Sequence, residues 1–241
     1  MSGKASLIKR IAYRITVPKC VSCKRILQLD QLAVCSNCYS EYLNTKDRSC
    51  ARCARPLESC FCANEYLEKH FVKGLIKVFR YRVSPDNRVA NSLIYRMKKR
   101  SRKDVTDFFS DELIGAIKNS VSDFSDTVIT NVPNRKSEIR ERGMDHAAVL
   151  AKAVAQKLGI EYRPLLVSLS KYAQKSLTAA ERLSNADFDL ITDESLKGKT
   201  VIIIDDIVTT GASMGKSATM IKALGPKRII GACLAIAYFD K

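Results

Sequence analysis

The chain has 241 residues, 46% of them hydrophobic, and its 41 Lys and Arg outnumber its 25 Asp and Glu, which gives a formal net charge of +16 at pH 7. This length predicts one full-sized domain with room for a small second unit. The sequence contains no apolar run near the ~18 residues of a membrane span and no secretory signal in residues 1–14, so we expect a cytoplasmic protein that does not insert into the membrane.

Eight of the nine cysteines are packed into residues 20–62 in four close pairs. The first tetrad comprises Cys20, Cys23, Cys35 and Cys38. The second tetrad comprises Cys50, Cys53, Cys60 and Cys62. Pairs at this spacing are typical of knuckles that close tetrahedrally on Zn²⁺, although buried free thiols remain an alternative, more so for the second tetrad with its unusual Cys-x-Cys end. We predict a zinc-binding module at residues 1–65 that holds one or two structural zinc ions, and we expect Cys233 in the core.

Residues 66–103 are predicted as a basic connector, because the positive charge is concentrated in this part of the chain. Residues 1–103 hold 23 Lys and Arg but 7 Asp and Glu, whereas the rest of the chain holds 18 of each kind. The basic stretch, residues 96–103, carries six cations next to Tyr95: Arg96, Lys98, Lys99, Arg100, Arg102 and Lys103. Cations interleaved with aromatic rings suit single-stranded nucleic acid, although such a run can also be a solvated face. We predict single-stranded DNA as the partner of this half.

Residues 104–241 are predicted as an α/β domain whose packed core begins somewhat before Asp104. Apolar strands and amphipathic helices alternate here, which predicts a mostly parallel sheet flanked by helices. The strands are expected at 127–132, 160–167, 200–204 and 228–236, and the helices at 146–158 and 213–224.

The phosphate loop, residues 205–213, is the most informative segment. It lies between a β-branched strand and a helix, where backbone N–H groups and the helix N-terminus favour an anion. Thr209, Thr210 and Ser213 add hydroxyl donors, and Gly211 lets the backbone approach closely. A phosphate repels the adjacent Asp205 and Asp206, so we expect these carboxylates to contact the hydroxyls of a ribose and, through water, Mg²⁺.

This segment resembles the signature of the type I phosphoribosyltransferases, which bind 5-phosphoribosyl 1-pyrophosphate (PRPP). The resemblance implies that Asp205 and Asp206 are the catalytic acids at the ribose hydroxyls and that Mg²⁺ enters with PRPP. The residues implied to wrap the 5-phosphate are Ile207, Val208, Thr209, Thr210 and Gly211.

Cysteine pairs before such a domain, together with three further motifs, are similar to the ComF family, also called ComFC. The motifs are Asn131-Val-Pro133, Arg142-Gly143 and the string Gln174, Leu177, Glu181, Arg182 and Asn185. The family implies a zinc-ribbon-like module joined to a type I phosphoribosyltransferase-like domain. It also implies a role in natural competence at the inner face of the membrane, next to other competence proteins. The family commonly has Asn and Gln where this chain has Asp145 and His146, which changes their charge states.

The fold of the family also implies where pyrophosphate binds. The candidates on the loop after Pro133 are Asn134, Arg135 and Lys136, with Arg140 and Arg142 reaching the same anion. Residues 168–178, with Lys171 and Lys175, are the candidate mobile loop, or else an ordinary solvated loop. His146 is expected to be a polar helix cap rather than a catalytic acid.

Two functions follow. The first is a competence-type DNA uptake or processing protein that binds PRPP and single-stranded DNA, with phosphoribosyl transfer to an unknown acceptor as a candidate activity. The alternative is a nucleobase-salvage phosphoribosyltransferase whose zinc module is purely structural.

Overall fold

The computed structural model describes residues 17–28, 30–46, 49–100, 102–169 and 188–237, with the side chain of residue 100 left out. Its helices are α1 Ser36–Lys46, α2 Glu65–Lys69, α3 Arg88–Arg100, α4 Lys103–Lys118, α5 Lys136–Arg142, α6 His146–Leu158 and α7 Ala212–Lys222. Its strands are β1 Val72–Arg80, β2 Thr127–Asn131, β3 Glu161–Tyr162, β4 Leu166–Ser168, β5 Phe188–Leu190, β6 Thr200–Val208 and β7 Arg228–Ile236.

The main sheet has five parallel strands in the order β1-β7-β6-β2-β3. Its edge strand β1 comes from residues 66–103, the predicted connector, and pairs with β7 from Val72 opposite Ile229 to Arg80 opposite Ile236. The segment therefore contributes to the sheet, and the packed core begins well before Asp104. β4 and β5 form a separate antiparallel pair.

Both faces of the sheet are buried, because helices cover each of them. Side chains alternate along a strand, so Ile202 and Ile204 of β6 pack into the apolar cluster that includes α4 and α6. Val201 and Ile203 pack into the opposite cluster, which includes α7. The predicted parallel sheet flanked by helices is confirmed, and Cys233 is fully buried in its core as expected.

The carboxyl ends of β2 and β6 lie side by side. Asn131 pairs with Ile204, and the Val132 N–H donates to the Ile204 carbonyl at 2.9 Å. The loops that follow these two strands therefore open onto the same edge, where α/β folds bind their ligands.

The two cysteine tetrads begin with the same turn. In the first, the Cys20 N–H donates to the Arg25 carbonyl at 2.8 Å and Lys24 has a φ of 67°. In the second, the Cys50 N–H donates to the Arg55 carbonyl at 2.8 Å and Ala54 has a φ of 57°. This repeated knuckle is the local structure that the Cys-x-x-Cys spacing predicts.

Helix α1 joins the first tetrad to the main domain. The buried Tyr42 packs edge-on against Phe79 of β1, with ring centroids 5.9 Å apart, and its hydroxyl donates to Glu112 Oε2 of α4 at 3.2 Å.

Within the described part of the chain, no helix combines the length and apolar character that crossing a membrane requires.

Candidate functional site

The phosphate loop forms the predicted turn between β6 and α7. Gly211 adopts a left-handed conformation with φ 84° and caps α7, while the Ala212 N–H donates to Thr210 Oγ1 at 3.3 Å. Asp205 and residues 207–214 line one pocket at the N-terminus of the helix. The first N–H groups of a helix lack partners within the helix, so this pocket suits an anion.

The two acidic side chains leave the strand on opposite sides of the sheet. Asp205 lines the pocket of the phosphate loop, whereas Asp206 points towards α3 and contacts Lys98. Burial, reinforced by the Asp206 carboxylate, raises the pKa of Asp205 well above its usual value. A strongly shifted carboxyl in a pocket is typical of a functional site.

Lys98 belongs to this site, although the sequence predicted it as a DNA contact. Its Nζ lies 2.9 Å from Asp206 Oδ2, and the two side chains are 30% and 14% exposed. Burial acts to lower the pKa of Lys98, but the Asp206 and Asp205 carboxylates outweigh it and raise the pKa. Lys98 therefore stays an ammonium and partly neutralises the acidic pair.

Asp145 fixes the loop that follows β2. Its Oδ1 accepts from the Ala148 N–H and from Asn134 Nδ2, each at 3.0 Å, and its Oδ2 accepts from the Asn134 N–H at 3.0 Å. The residue that caps α6 is therefore Asp145, and the expectation that His146 is the cap is wrong. The buried His146 faces the acidic site instead. Burial and the positive charge of Arg142 lower the pKa of His146, whereas the Asp206 carboxylate acts to raise it.

Arg135 is the most unusual cation of the predicted pyrophosphate loop. It is only 5% exposed, burial lowers its pKa, and its Nη1 finds no hydrogen-bond partner among the described residues. A buried guanidinium is costly unless an anion pairs with it.

The other predicted pyrophosphate contacts are more accessible: Lys136 and Arg140 are exposed, and Arg142 is half-buried. Lys171, Lys175 and the string from Gln174 to Asn185 lie outside the described residues.

The other cations of the basic stretch have different surroundings. Arg102 and Lys103 form ion pairs with Asp104 and Asp107, at 2.5 and 2.6 Å. Lys99 is exposed, and its Nζ lies 5.0 Å from the ring centroid of Tyr95, which is 53% exposed. Arg96 is half-buried, and the side chain of Arg100 lies outside the described part.

Both cysteine tetrads have the geometry of metal sites. In each tetrad the four sulfur atoms lie within 4.8 Å of one another, and all eight thiols are free. Burial and neighbouring cysteines raise the pKa of Cys38 and Cys62 to about 12. Full ionisation of each tetrad therefore requires a cation at its centre.

Lys77 supports a metal at the second tetrad. It is 2% exposed, and its Nζ donates to the Cys62 carbonyl at 2.7 Å and to the Leu75 carbonyl at 3.2 Å. Burial raises the pKa of Cys60, and the Lys77 ammonium opposes that rise. A buried ammonium needs negative charge nearby, and four metal-bound thiolates carry a net charge of about −2. The residues therefore fit a divalent ion.

Sequence reasoning missed the places of Lys98 and His146 in the site. Lys98 contacts Asp206, and His146 lies close enough for the Asp206 charge to influence its pKa. Both belong to elements far from Asp206 in the chain, so no local pattern could identify them. The six cations of residues 96–103 correctly indicated a basic segment. The sequence could not show that Lys98, rather than one of its neighbours, faces inwards and contacts Asp206.

Comparisons with known proteins identify relatives of parts of this chain. A family model described as "Phosphoribosyl transferase domain" matches residues 144–240. A ribose-phosphate pyrophosphokinase of Thermococcus kodakarensis is 35% identical over 80 residues, so the match spans 33% of this chain but only 24% of that relative. A purine phosphoribosyltransferase structure from Pyrococcus horikoshii Ot3 overlaps 55% of this chain and 72% of its own, with 22% identity and a TM-score of 0.36.

Two curated relatives carry the name competence protein ComFC. The one from Streptococcus pneumoniae is 25% identical over 208 residues, which cover 85% of this chain and 88% of the relative. The similarity to the ComFC proteins extends over three quarters of this chain or more, and not only over its phosphoribosyl transferase domain, which supports membership of the ComF/ComFC family.

Proposed function

We propose that this protein is a competence-type DNA-handling protein that binds PRPP at the phosphate loop and single-stranded DNA through its basic half. The observation that carries the proposal is the pocket lined by Asp205 and residues 207–214 at the N-terminus of α7. In this proposal the backbone N–H groups of the loop bind the 5-phosphate, and the acidic pair binds the ribose hydroxyls.

The pyrophosphate of PRPP is assigned to the neighbouring loop after β2. Arg135 supports this assignment, because its buried Nη1 has no hydrogen-bond partner among the described residues and is therefore free to donate to an anion. Mg²⁺ is proposed to enter with PRPP. In a transfer reaction, the bond between the ribose C1 and pyrophosphate breaks, and a nitrogen or oxygen of the acceptor forms the new bond to C1 and gives up its proton. The Asp205 and Asp206 carboxylates stabilise the positive charge that develops on the sugar.

Calorimetric titration tests the ribose-phosphate site. PRPP with Mg²⁺ is expected to bind the wild type, and the double variant Asp205→Asn/Asp206→Asn is expected to lose most of this affinity. Ribose 5-phosphate serves as the second ligand: Arg135→Gln should weaken PRPP binding and leave ribose 5-phosphate binding nearly unchanged. If neither ligand binds the folded wild type, the proposed site is refuted.

DNA binding is proposed on the exposed side of α3. Lys99 and Tyr95 lie four residues apart with their side chains in contact there, so a phosphate and a base can bind side by side. Affinity for a short single-stranded oligonucleotide should fall steeply with salt, and Lys99→Gln should lower the slope of log K against log salt by about 0.7. The exposed Lys222 lies in the charge-balanced half, so Lys222→Gln is the matched control and should leave the slope unchanged.

The salvage alternative makes a different prediction. A salvage enzyme forms a nucleotide and pyrophosphate from PRPP and a free purine or pyrimidine, and has no salt-dependent affinity for DNA. Nucleotide formation without DNA binding would therefore favour the alternative.

Zinc is the metal proposed for both tetrads, and elemental analysis of the purified protein should find two zinc ions per chain.

A further inference from the structure

We infer that Asn64 is a positioning residue of the phosphate loop and that a metal at the second tetrad acts on ribose-phosphate binding through it. The inference rests on the proposed function of the loop as the 5-phosphate site. It adds to the proposed function a residue outside the phosphate loop and a coupling between the second tetrad and ribose-phosphate binding.

Asn64 connects the second tetrad to the phosphate loop through one side-chain amide. It lies two residues after Cys62, and its Nδ2 donates to the Thr210 carbonyl at 3.1 Å. Its Oδ1 accepts from the Leu67 N–H at 2.9 Å and so caps α2. Both ends of the amide are therefore used, and the position of the Thr210 carbonyl depends on where residue 64 lies.

Helix α2 also packs directly on the loop and on α7. A β-carbon at Gly211 would lie 2.9 Å from Leu67 Cγ, and one at Gly215 would lie 2.7 Å from Tyr66 Cε1. Leu67 is fully buried. Such close packing means that α2 and the loop cannot move independently.

The segment that carries Asn64 is in turn held by the second tetrad. Arg52, inside the first knuckle of this tetrad, donates from Nη1 to the Ala63 carbonyl at 3.1 Å. The Leu75 N–H donates to the Phe61 carbonyl at 3.1 Å. A metal bound by Cys50, Cys53, Cys60 and Cys62 would close residues 50–62 into a ring that ends two residues before Asn64.

The first tetrad provides an internal control. The described hydrogen bonds of its loops lead to Arg88, which donates to Ser22 Oγ at 2.9 Å, and to Arg102, which donates to the Lys19 carbonyl at 3.4 Å. None of them reaches residues 205–213 within the described part of the chain. We therefore expect only the second tetrad to affect the loop.

Hydrogen exchange measured by mass spectrometry tests the inference without requiring a ligand. The peptide over residues 204–214 is expected to lose protection in Cys50→Ser and to keep it in Cys20→Ser, while peptides from β7 report on global folding. Asn64→Asp is the second variant, because it keeps the acceptor for the Leu67 N–H but cannot donate to Thr210. Its loop peptide should also lose protection while α2 keeps its own.

Titration with ribose 5-phosphate supplies the second measurement. Asn64→Asp should weaken binding about threefold to tenfold, the range expected for one hydrogen bond. Coupling of binding free energies is reciprocal, so ribose 5-phosphate should raise the affinity of the second tetrad for its metal, measured at equilibrium against a competing chelator, and leave the first tetrad unaffected.

The outcomes separate the inference from the proposed function. Unchanged protection of the loop in both Cys50→Ser and Asn64→Asp would overturn the inference, even if ribose 5-phosphate binds. If the loop loses protection in Cys50→Ser and Asn64→Asp but the wild type binds neither ribose 5-phosphate nor PRPP, the coupling is supported and the proposed function is refuted.

Discussion

The ion pair between Lys98 and Asp206 can be tested by replacing each partner with a neutral side chain of similar shape. At the observed 2.9 Å and an effective dielectric constant of about 20, the attraction between the two charges is about 6 kcal/mol before desolvation is subtracted. Fully exposed pairs retain about 0–1 kcal/mol, and removing one partner of a fully buried pair costs about 3–5 kcal/mol. With side chains 30% and 14% exposed, Lys98 and Asp206 lie between these cases, and we expect a coupling energy of about 2 kcal/mol.

A double-mutant cycle measures this coupling energy. The free energy of unfolding in urea at pH 7 and low salt is determined for the wild type, Lys98→Met, Asp206→Asn and the double variant. The pair Glu65 and Lys69 is the matched control, because its side chains are 82% and 70% exposed at a separation of 2.8 Å. Its coupling should be much smaller than that of Lys98 and Asp206, because solvent screens the two exposed charges.

The pH dependence gives a further check on the reasoning. The pKa of Lys98 is raised in the folded state, so its contribution to stability is fully present below the usual lysine value of 10.5 and is lost as the pH rises through the folded-state value. The coupling should therefore be constant around neutral pH and decline only in strongly alkaline solution. A coupling no larger than that of the control pair would refute the conclusion that Lys98 neutralises the acidic pair.

Three further predictions concern the same site. Asp205→Asn should raise the free energy of unfolding at pH 7, because the pKa of Asp205 is raised by burial, and this gain should vanish as the pH falls below 3.8; calorimetry on the same variant should find ribose 5-phosphate binding lost. Gly211→Ala should cost about 2–3 kcal/mol, since both its φ of 84° and the close packing oppose a β-carbon. Gly225→Ala, with a φ of 74° and open space, should cost about 1 kcal/mol in the same urea experiment, and equal costs would contradict the packing argument. Asp145→Ala should cost about 2 kcal/mol, because it removes the α6 cap and both hydrogen bonds to Asn134; thermal unfolding of this variant beside Asp145→Asn, which keeps one acceptor, measures the difference.

The edge strand β1 shows why the sequence reading of residues 66–103 was incomplete. The concentration of positive charge in this part of the chain suggested a basic connector, and Lys73 and Lys77 of β1 belong to that charge. The structure buries Lys77 against the Cys62 carbonyl at 2.7 Å. A charged side chain can occupy a buried strand only when another part of the chain compensates it, and a linear pattern does not reveal that partner.

The sequence by itself determined those features whose chemistry lies within a few consecutive residues. The phosphate loop is such a feature, because strand, acids, hydroxyls, Gly211 and helix follow one another directly. The cysteine tetrads are another, because only two residues separate the cysteines of a metal-binding Cys-x-x-Cys knuckle. Only the tertiary structure decided which distant side chains complete the site. Lys98 and Asn64 lie more than 100 residues before the loop, and their contacts with Asp206 and Thr210 depend on how α2 and α3 pack against the sheet. Packing of this kind is set by the shapes and burial of many residues together, so no motif in the sequence specifies it.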